Sequence, residues 1–260
     1  MNRNSFIIAV IILLSFVGPA AAGNGGNGPA SAESCAQALV EHLDQLPLNE
    51  YDADEIAAVS FLREEEKLAR DVYLVLSLSW ETPIFTNIAR SEQRHMNLVE
   101  LLLSRHGITD PVADDDIGVF SNPELGELFD ELTTFGQQSL VDALVVGATI
   151  EDLDLADLAA IREVSDELDS WLIVENLAAG SRNHMRAFAN ALAANGFSYE
   201  AQYLDPSVLA EILATEPERG VVYDEFGEVL AECGAQGGPG GGNRGHRGYG
   251  GDGNGPNRGN

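Results

Sequence analysis

Lysine is almost absent from this chain of 260 residues, in which only Lys67 occurs. Lys and Arg together number 14 against 42 Asp and Glu, so the formal net charge at pH 7 is −28. Proteins that bind nucleic acid need basic patches to neutralise phosphates, and this balance therefore argues against a nucleic-acid partner. An excess of acidic side chains favours a strongly solvated surface, and it can also concentrate cations near the protein.

Cysteine is scarce as well. The only two, Cys35 and Cys233, lie toward opposite ends of the chain. In an exported protein they could form a disulfide that joins the two terminal segments, and two unpaired thiols are the alternative. The sequence contains no Cys-x-x-Cys pair, no strand-rich region and no glycine-rich phosphate loop that opens a helix, which removes the common redox and nucleotide motifs from consideration.

One apolar run, residues 6–17, follows a basic start and precedes Ala20-Ala21-Ala22. Its twelve residues are too few to span a bilayer comfortably. These features are typical of a secretory signal peptide, so residues 1–22 are predicted to be removed, and an uncleaved anchor is the alternative. The mature protein is therefore expected to be secreted, periplasmic or attached to the cell envelope, without insertion of the mature chain into a membrane.

The remaining chain is predicted to be all-α, with one domain between two tails. Long amphipathic helices are expected at about residues 54–78, 82–106, 137–154 and 165–195, with a separate short helix after the third that reaches about residue 163. The chain divides into a flexible segment with a short helix (23–50), a four-helix bundle (51–205), a helical extension (206–233) and a disordered Gly/Asn/Arg-rich tail (234–260).

Charged residues interrupt the apolar stripe of every predicted long helix. In the second helix, one face carries Ile84, Ile88, Glu92, His95 and Val99. A buried carboxylate is costly unless something compensates it. A metal ion is the simplest compensation, because one helical turn places Glu92 and His95 on the same side. The stripes of the other three helices add one candidate ligand each: Glu66, Glu151 and His184.

Each Glu or His within an apolar stripe has an ordinary explanation when taken alone: the glutamate can lie at the edge of the core, and the histidine can be a hydrogen-bonded core residue. Together they match, in order, the ligand pattern of a two-metal carboxylate bundle, which takes Glu from two helices and Glu-x-x-His from the other two. Five of the six positions are filled, because Ser181 stands where the last Glu would be. Three outcomes stay open: a two-metal site completed by water or Asp154, a one-metal site, or a degenerate site.

These motifs resemble those of the ferritin-like di-iron superfamily. Residues 66–73 and 88–95 are similar to the first-helix and second-helix ligand motifs of rubrerythrin-type proteins. Residues 63–71 and 180–184, together with 147–152, resemble the DUF2202 family, an uncharacterised branch of ferritin-like proteins. The resemblance covers about two thirds of the chain. It implies a ferritin-like four-helix bundle with a crossover connection between helices two and three, and a metal site inside that bundle.

The leading hypothesis is an exported protein with a metal site formed by Glu66, Glu92, His95, Glu151 and His184. Carboxylates with imidazole favour iron, as one or two ions, and would also accept Mn or Zn. Oxygen or peroxide reduction coupled to ferrous oxidation is the chemistry implied, so any enzyme would be a di-iron-type oxidoreductase. The alternative is a non-catalytic cell-envelope scaffold or interaction bundle with a degenerate site. The sequence leaves the oligomeric state open.

Overall fold

A computed structural model of the protein describes residues 32–232. The predicted signal peptide, the predicted Gly-rich tail and Cys233 lie outside this range. The described residues are mostly helical, with little sheet, which confirms the all-α prediction at the level of fold class. The elements are α1 (Ala32–Leu43), α2 (Ala53–Ser79), α3 (Pro83–Arg105), α4 (Pro123–Gly136), α5 (Leu140–Val164), α6 (Leu168–Ala194), α7 (Pro206–Ala214), β1 (Val221–Tyr223) and β2 (Val229–Glu232).

The four long helices α2, α3, α5 and α6 form a helical bundle. The most extensive contacts join α2 to α3 and α5 to α6, and contacts of α2 with α5 and of α3 with α6 close the ring. Helices α3 and α5 therefore lie on a diagonal, and the chain between them, residues 106–139, crosses the bundle. None of the helices in residues 32–232 is both long and apolar enough to cross a membrane.

Local sequence signals explain where the long helices begin and end. Asp52 caps α2 by accepting from the backbone N–H of Glu55 at 3.0 Å, and the Glu55 carboxylate accepts from the N–H of Asp52 at 2.7 Å. Pro83 occupies the first turn of α3, as predicted. Gly107 and Gly196 follow α3 and α6 with φ of 65° and 84°, a conformation that glycine adopts without strain.

Helix α5 is longer than the sequence predicted. It runs unbroken over Leu140–Val164, whereas the sequence predicted a helix that ends at about residue 154 and a separate short helix after it. One reason is Asp152, whose fully buried carboxylate accepts hydrogen bonds from the hydroxyl of Tyr199 at 2.8 Å and from the backbone N–H groups of residues 202–204 at 2.6, 3.1 and 3.0 Å. The acidic run thus anchors the segment that follows α6.

A small antiparallel sheet, which the sequence did not predict, follows α7. Strands β1 and β2 pair with each other. The side chain of Asn176 on α6 holds the sheet by donating to the carbonyl of Tyr223 at 2.8 Å and accepting from its N–H at 3.0 Å. Helix α1 packs on the same sheet. Cys35 on α1 is buried and disulfide-bonded; because Cys233 is outside the described residues, its pairing with Cys35 stays a prediction.

Two apolar clusters fill the bundle core. One contains the rings of Tyr73, Phe85 and Phe188, whose centroids are 5.4 to 6.4 Å apart. The other contains Leu62 and Leu177 among its buried residues. Along each long helix the side chains pass from one cluster to the other. Glu66, Glu92, His95 and His184 stand at these transitions, and Glu151 lies just before the transition on α5. The apolar core therefore encloses a polar layer.

Replacing Asp152 with Ala should destabilise the protein by about 3 kcal/mol, because three backbone N–H groups would lose a charged acceptor. Urea unfolding followed by circular dichroism measures the change. The control is Gln202→Ala, which removes only exposed side-chain hydrogen bonds to Thr149 and Tyr199. This control should change the free energy of unfolding by less than about 0.5 kcal/mol. Equal effects of the two substitutions would contradict the role assigned to Asp152.

Candidate metal centre

The five residues predicted from the helical stripes meet in the middle of the bundle. All of them are buried, with exposed fractions between 2% and 7%. Carboxylate and imidazole atoms of these residues fall into two groups, and within each group the atoms lie within 4.8 Å of one another. The groups are Glu66, Glu92 and His95, and Glu92, Glu151 and His184.

Glu92 belongs to both groups and faces both histidines. Its Oε2 lies 2.8 Å from Nδ1 of His95, and its Oε1 lies 2.8 Å from Nδ1 of His184. The two imidazole rings are 5.5 Å apart between centroids and inclined by 27°. A carboxylate whose two oxygens face two separate imidazoles has the placement of a bridging ligand between two closely spaced metal ions.

Glu66 and Glu151 flank this central group on opposite sides. Glu66 Oε2 lies 3.2 Å from Nδ1 of His95, and Glu151 Oε2 lies 3.4 Å from Nδ1 of His184. The hydroxyl of Tyr73 donates to Glu151 Oε1 at 2.6 Å and so fixes the orientation of that carboxylate. Tyr73 follows Glu66 by two turns of α2.

Three buried polar atoms of the cluster have no hydrogen-bond partner within residues 32–232: Glu66 Oε1, Glu92 Oε1 and His184 Nδ1. The contact between Glu92 and His184 is short, but it lacks the alignment of a hydrogen bond. A buried polar atom without a partner costs about 1–3 kcal/mol. A metal ion binds lone pairs of this kind, so the donor set fits a metal ion.

Burial and mutual contact shift the pKa values of these groups. Burial raises the pKa of Glu66 to about 7, against the opposing effect of His95. Burial favours the neutral form of Glu92 too, but His184 and His95 lower its pKa well below the usual range. For His184, burial opposes the charge, yet Glu92 and Glu151 raise its pKa to about 10. Protons on the histidines thus offset part of the carboxylate charge when no metal is bound.

Ser181 and Asp154 lie beside this cluster, on α6 and α5, and both are buried. Burial raises the pKa of Asp154 well above its usual value, Glu66 and Glu151 raise it further, and a hydrogen bond with Ser181 opposes the rise. Asp154 belongs to neither group of close ligand atoms. Since α5 continues past Glu151, α5 supplies a fourth carboxylate near the site, whereas position 181 of α6 supplies a hydroxyl.

Gly180, which the sequence analysis missed, makes room for His95. A Cβ atom at position 180 would lie 2.3 Å from Nε2 of His95, closer than side-chain atoms can approach. Helix α6 therefore passes close to one edge of the imidazole, while Nδ1 on the other side faces the carboxylates. A glycine inside a helix beside Ser181 is the sequence signal for such a close approach, because glycine is otherwise unfavourable there.

Acidic and histidine residues that received no role in the sequence analysis lie outside the cluster. Glu175 forms salt bridges with Arg162 and Arg182 at 3.0 and 3.1 Å. His106 lies 2.8 Å from the buried carboxylate of Asp169.

Comparison with known proteins shows where this chain has relatives. A family model described as "Uncharacterized protein domain (DUF2202)" matches residues 55–216. The chain is 48% identical over 183 residues to "Uncharacterized protein MJ0754" of Methanocaldococcus jannaschii, a match that covers 70% of this chain and 99% of the relative. It is also similar to the crystal structure of "hypothetical protein MJ0754 from Methanococcus jannaschii DSM 2661", with a TM-score of 0.66 and 49% identity over 66% of this chain and 99% of that chain.

Replacing Gly180 with Ala should destabilise the protein by about 1–3 kcal/mol, because the new methyl group would displace His95. The matched control is Gly126→Ala on α4, where a Cβ atom would meet nothing within 4 Å. The control should stabilise by up to about 1 kcal/mol, since alanine favours a helix over glycine. Urea unfolding measures both, and a stabilising Gly180→Ala would contradict the close approach of α6 to His95.

Proposed function

The chain belongs to the DUF2202 family, and we propose that it is an exported, ferritin-like protein that binds two iron ions inside its bundle. The observation that carries the proposal is the position of Glu92, which both ligand groups share. Each group on its own offers a site for one ion. A shared carboxylate between two histidines favours a pair of ions over a single one.

In the proposed site, Glu66 and His95 would hold one ion and Glu151 and His184 would hold the other, with Glu92 within reach of both. Carboxylate and imidazole ligands suit iron, and manganese or zinc would also bind. Two divalent ions bring four positive charges to a buried region that contains three Glu and the neighbouring Asp154. This match of charge supports two ions, because buried carboxylates need compensation.

The proposed chemistry is reduction of oxygen or peroxide. Two bound Fe(II) ions would supply, on oxidation to Fe(III), the two electrons that reduce one hydrogen peroxide to two waters with uptake of two protons. The chain itself holds the ligands in place: Tyr73 fixes Glu151 through its hydroxyl. The apolar clusters on both sides exclude bulk water, which strengthens the electrostatic interactions within the site.

Sequence features support the remaining parts of the proposal. The predicted signal peptide, residues 1–22, supports export to the cell envelope or beyond. The ligand motifs on α2 and α3 and the diagonal connection between α3 and α5 support a ferritin-like bundle, since such bundles contain one long crossover.

One observation favours a second candidate function, a non-catalytic envelope scaffold with a degenerate site. Ser181 stands where a full di-iron ligand set has Glu, and its hydroxyl donates to the carbonyl of Leu177 at 3.2 Å without completing either ligand group. In a degenerate site, protons alone would neutralise the buried carboxylates. The variant Glu92→Leu/His95→Leu would then be as stable as the parent protein or more stable, because a buried charge would have been replaced by apolar packing.

Metal analysis tests the proposal. After anaerobic reconstitution with Fe(II), the parent protein should contain about two iron ions per chain, as a two-metal bundle site requires. The variant Glu92→Ala/His95→Ala should lose both, and the control Glu127→Ala, at an exposed position of α4, should keep both. Elemental mass spectrometry gives the content. One ion per chain would indicate a mononuclear site. If the protein bound no ion after reconstitution with Fe, Mn or Zn, the scaffold function would be the one supported.

Metal binding should also release protons and strengthen as pH rises. In the metal-free protein the pKa of His184 is raised to about 10, so at neutral pH its ring must lose a proton before its nitrogen can bind a metal. Affinity should therefore keep rising above about pH 7, where an unperturbed His has finished titrating. Calorimetry with Mn²⁺ in buffers of different ionisation enthalpy counts the protons released. An affinity that levels off near neutral pH would contradict this expectation.

A further inference from the structure

Glu65, next to the proposed ligand Glu66, is a buried carboxylate without a hydrogen-bond partner. It is 4% exposed, and neither of its side-chain oxygens has a partner among the described residues. The charged groups that act on it are all acidic: Asp154, Asp157 and Glu66. Such a group is costly to bury, and the acidic side chains around it add to that cost.

Three carboxylates on α5 form a line from the cluster toward the surface. Glu151, Asp154 and Asp157 are spaced three residues apart, so they occupy one side of the helix, and each step advances about 4.5 Å. Glu151 and Asp154 are buried with exposed fractions of 2% and 6%, and Asp157 is half-buried. Exposure thus increases with distance from the cluster.

The outer end of this line opens into a groove between α2 and α5. The groove has a cavity of about 180 Å³, lined by Glu65, Asp157 and apolar side chains that include Phe61 and Val164. Phe61 and Val164 are 39% and 53% exposed, so the groove reaches solvent. Its walls are mostly apolar, Glu65 and Asp157 are the carboxylates that line it, and it has room for the water that a partly hydrated ion carries.

We propose that this groove is the route by which divalent cations reach the buried cluster. Asp157 stands at the mouth, Glu65 lies next, and Asp154 is the last carboxylate before the ligands. The ions are hard divalent cations such as Fe²⁺ or Mn²⁺, which exchange bound water for carboxylate oxygens. The inference rests on the proposed metal site and adds the path to it.

The same carboxylates do not make a resident binding site. Glu65, Asp154 and Asp157 do not form one of the compact groups of ligand atoms found among residues 32–232. An ion at Glu65 would therefore lack a full set of protein ligands and would move on to the cluster. The number of protein ligands available to the ion increases toward Glu92, and this increase would favour movement of the ion from the groove to the cluster.

Loading kinetics test the route. Metal-free full-length protein is mixed with Co²⁺, whose visible absorption reports binding to the histidines. The variants are Glu65→Gln and Asp157→Asn, singly and together; Asp157 is half-buried, so its substitution leaves the fold intact. The double variant should load about tenfold more slowly, because focusing by charged clefts raises association rates by 10 to 1,000 times. Final stoichiometry and spectrum should match the parent.

The matched control is Glu127→Gln/Glu131→Gln, which replaces the same number of carboxyl groups at exposed positions on α4. The control should load at the parent rate. This result would distinguish an effect of the groove carboxylates on the loading rate from an effect of the overall negative charge of the protein. An unchanged rate in the groove variants overturns the route. A lower final stoichiometry overturns it too, because Glu65 or Asp157 would then be equilibrium ligands. Absence of Co²⁺ binding by the parent protein itself would instead overturn the metal site on which the route depends.

Discussion

The burial of carboxylates in the middle of the bundle is the constraint on which the rest of the structure depends. Glu66, Glu92 and Glu151 lie inside an apolar core, and among the described residues their ion-pair partners are only His95 and His184. Two imidazoles can hold at most two compensating protons, and burial disfavours each of those charges. The cluster is therefore poised to exchange protons for cations, which bind to the same lone pairs.

Basic side chains are present on α2, but they neutralise other groups. Lys67, the only lysine of the chain, is fully buried and donates to Asp71 at 2.6 Å and to the carbonyl of Asp116 at 2.8 Å. Arg63 and Arg70 bind acidic residues of the same crossing segment. One side of α2 thus holds the connection that crosses the bundle, while its other side presents carboxylates without a counter-ion. Because the only lysine, Lys67, is already bound to Asp71, no ammonium group is available to neutralise the carboxylates of the cluster.

The sequence predicted those parts of the fold and site that depend on local spacing. The ligand candidates, the first-turn Pro83 and the glycines after α3 and α6 are visible because helical period and capping act over a few residues.

The length of α5 was not predictable in this way, because Asp152 is satisfied by residues 202–204, which are about fifty positions away in the chain. Glu65 was missed for the same reason: its burial comes from packing against α5, and the stripe of α2 placed only Glu66 inward. The small sheet has strands of three and four residues, too short for a periodic signal.

Ser181 on α6, where the two-metal bundle pattern has Glu, would give the proposed site a direction. With a hydroxyl on α6 and Asp154 on α5, acidic groups accumulate on the side of α2 and α5, whereas both histidines stand on α3 and α6. Hard cations exchange water for oxygen ligands more readily than for nitrogen, so a cation approaching through the carboxylate side would meet the imidazoles last. The position of Asp154 on α5 is therefore consistent with the proposed uptake from the α2–α5 groove, in which Asp154 would meet the arriving ion and Glu92 would hold it.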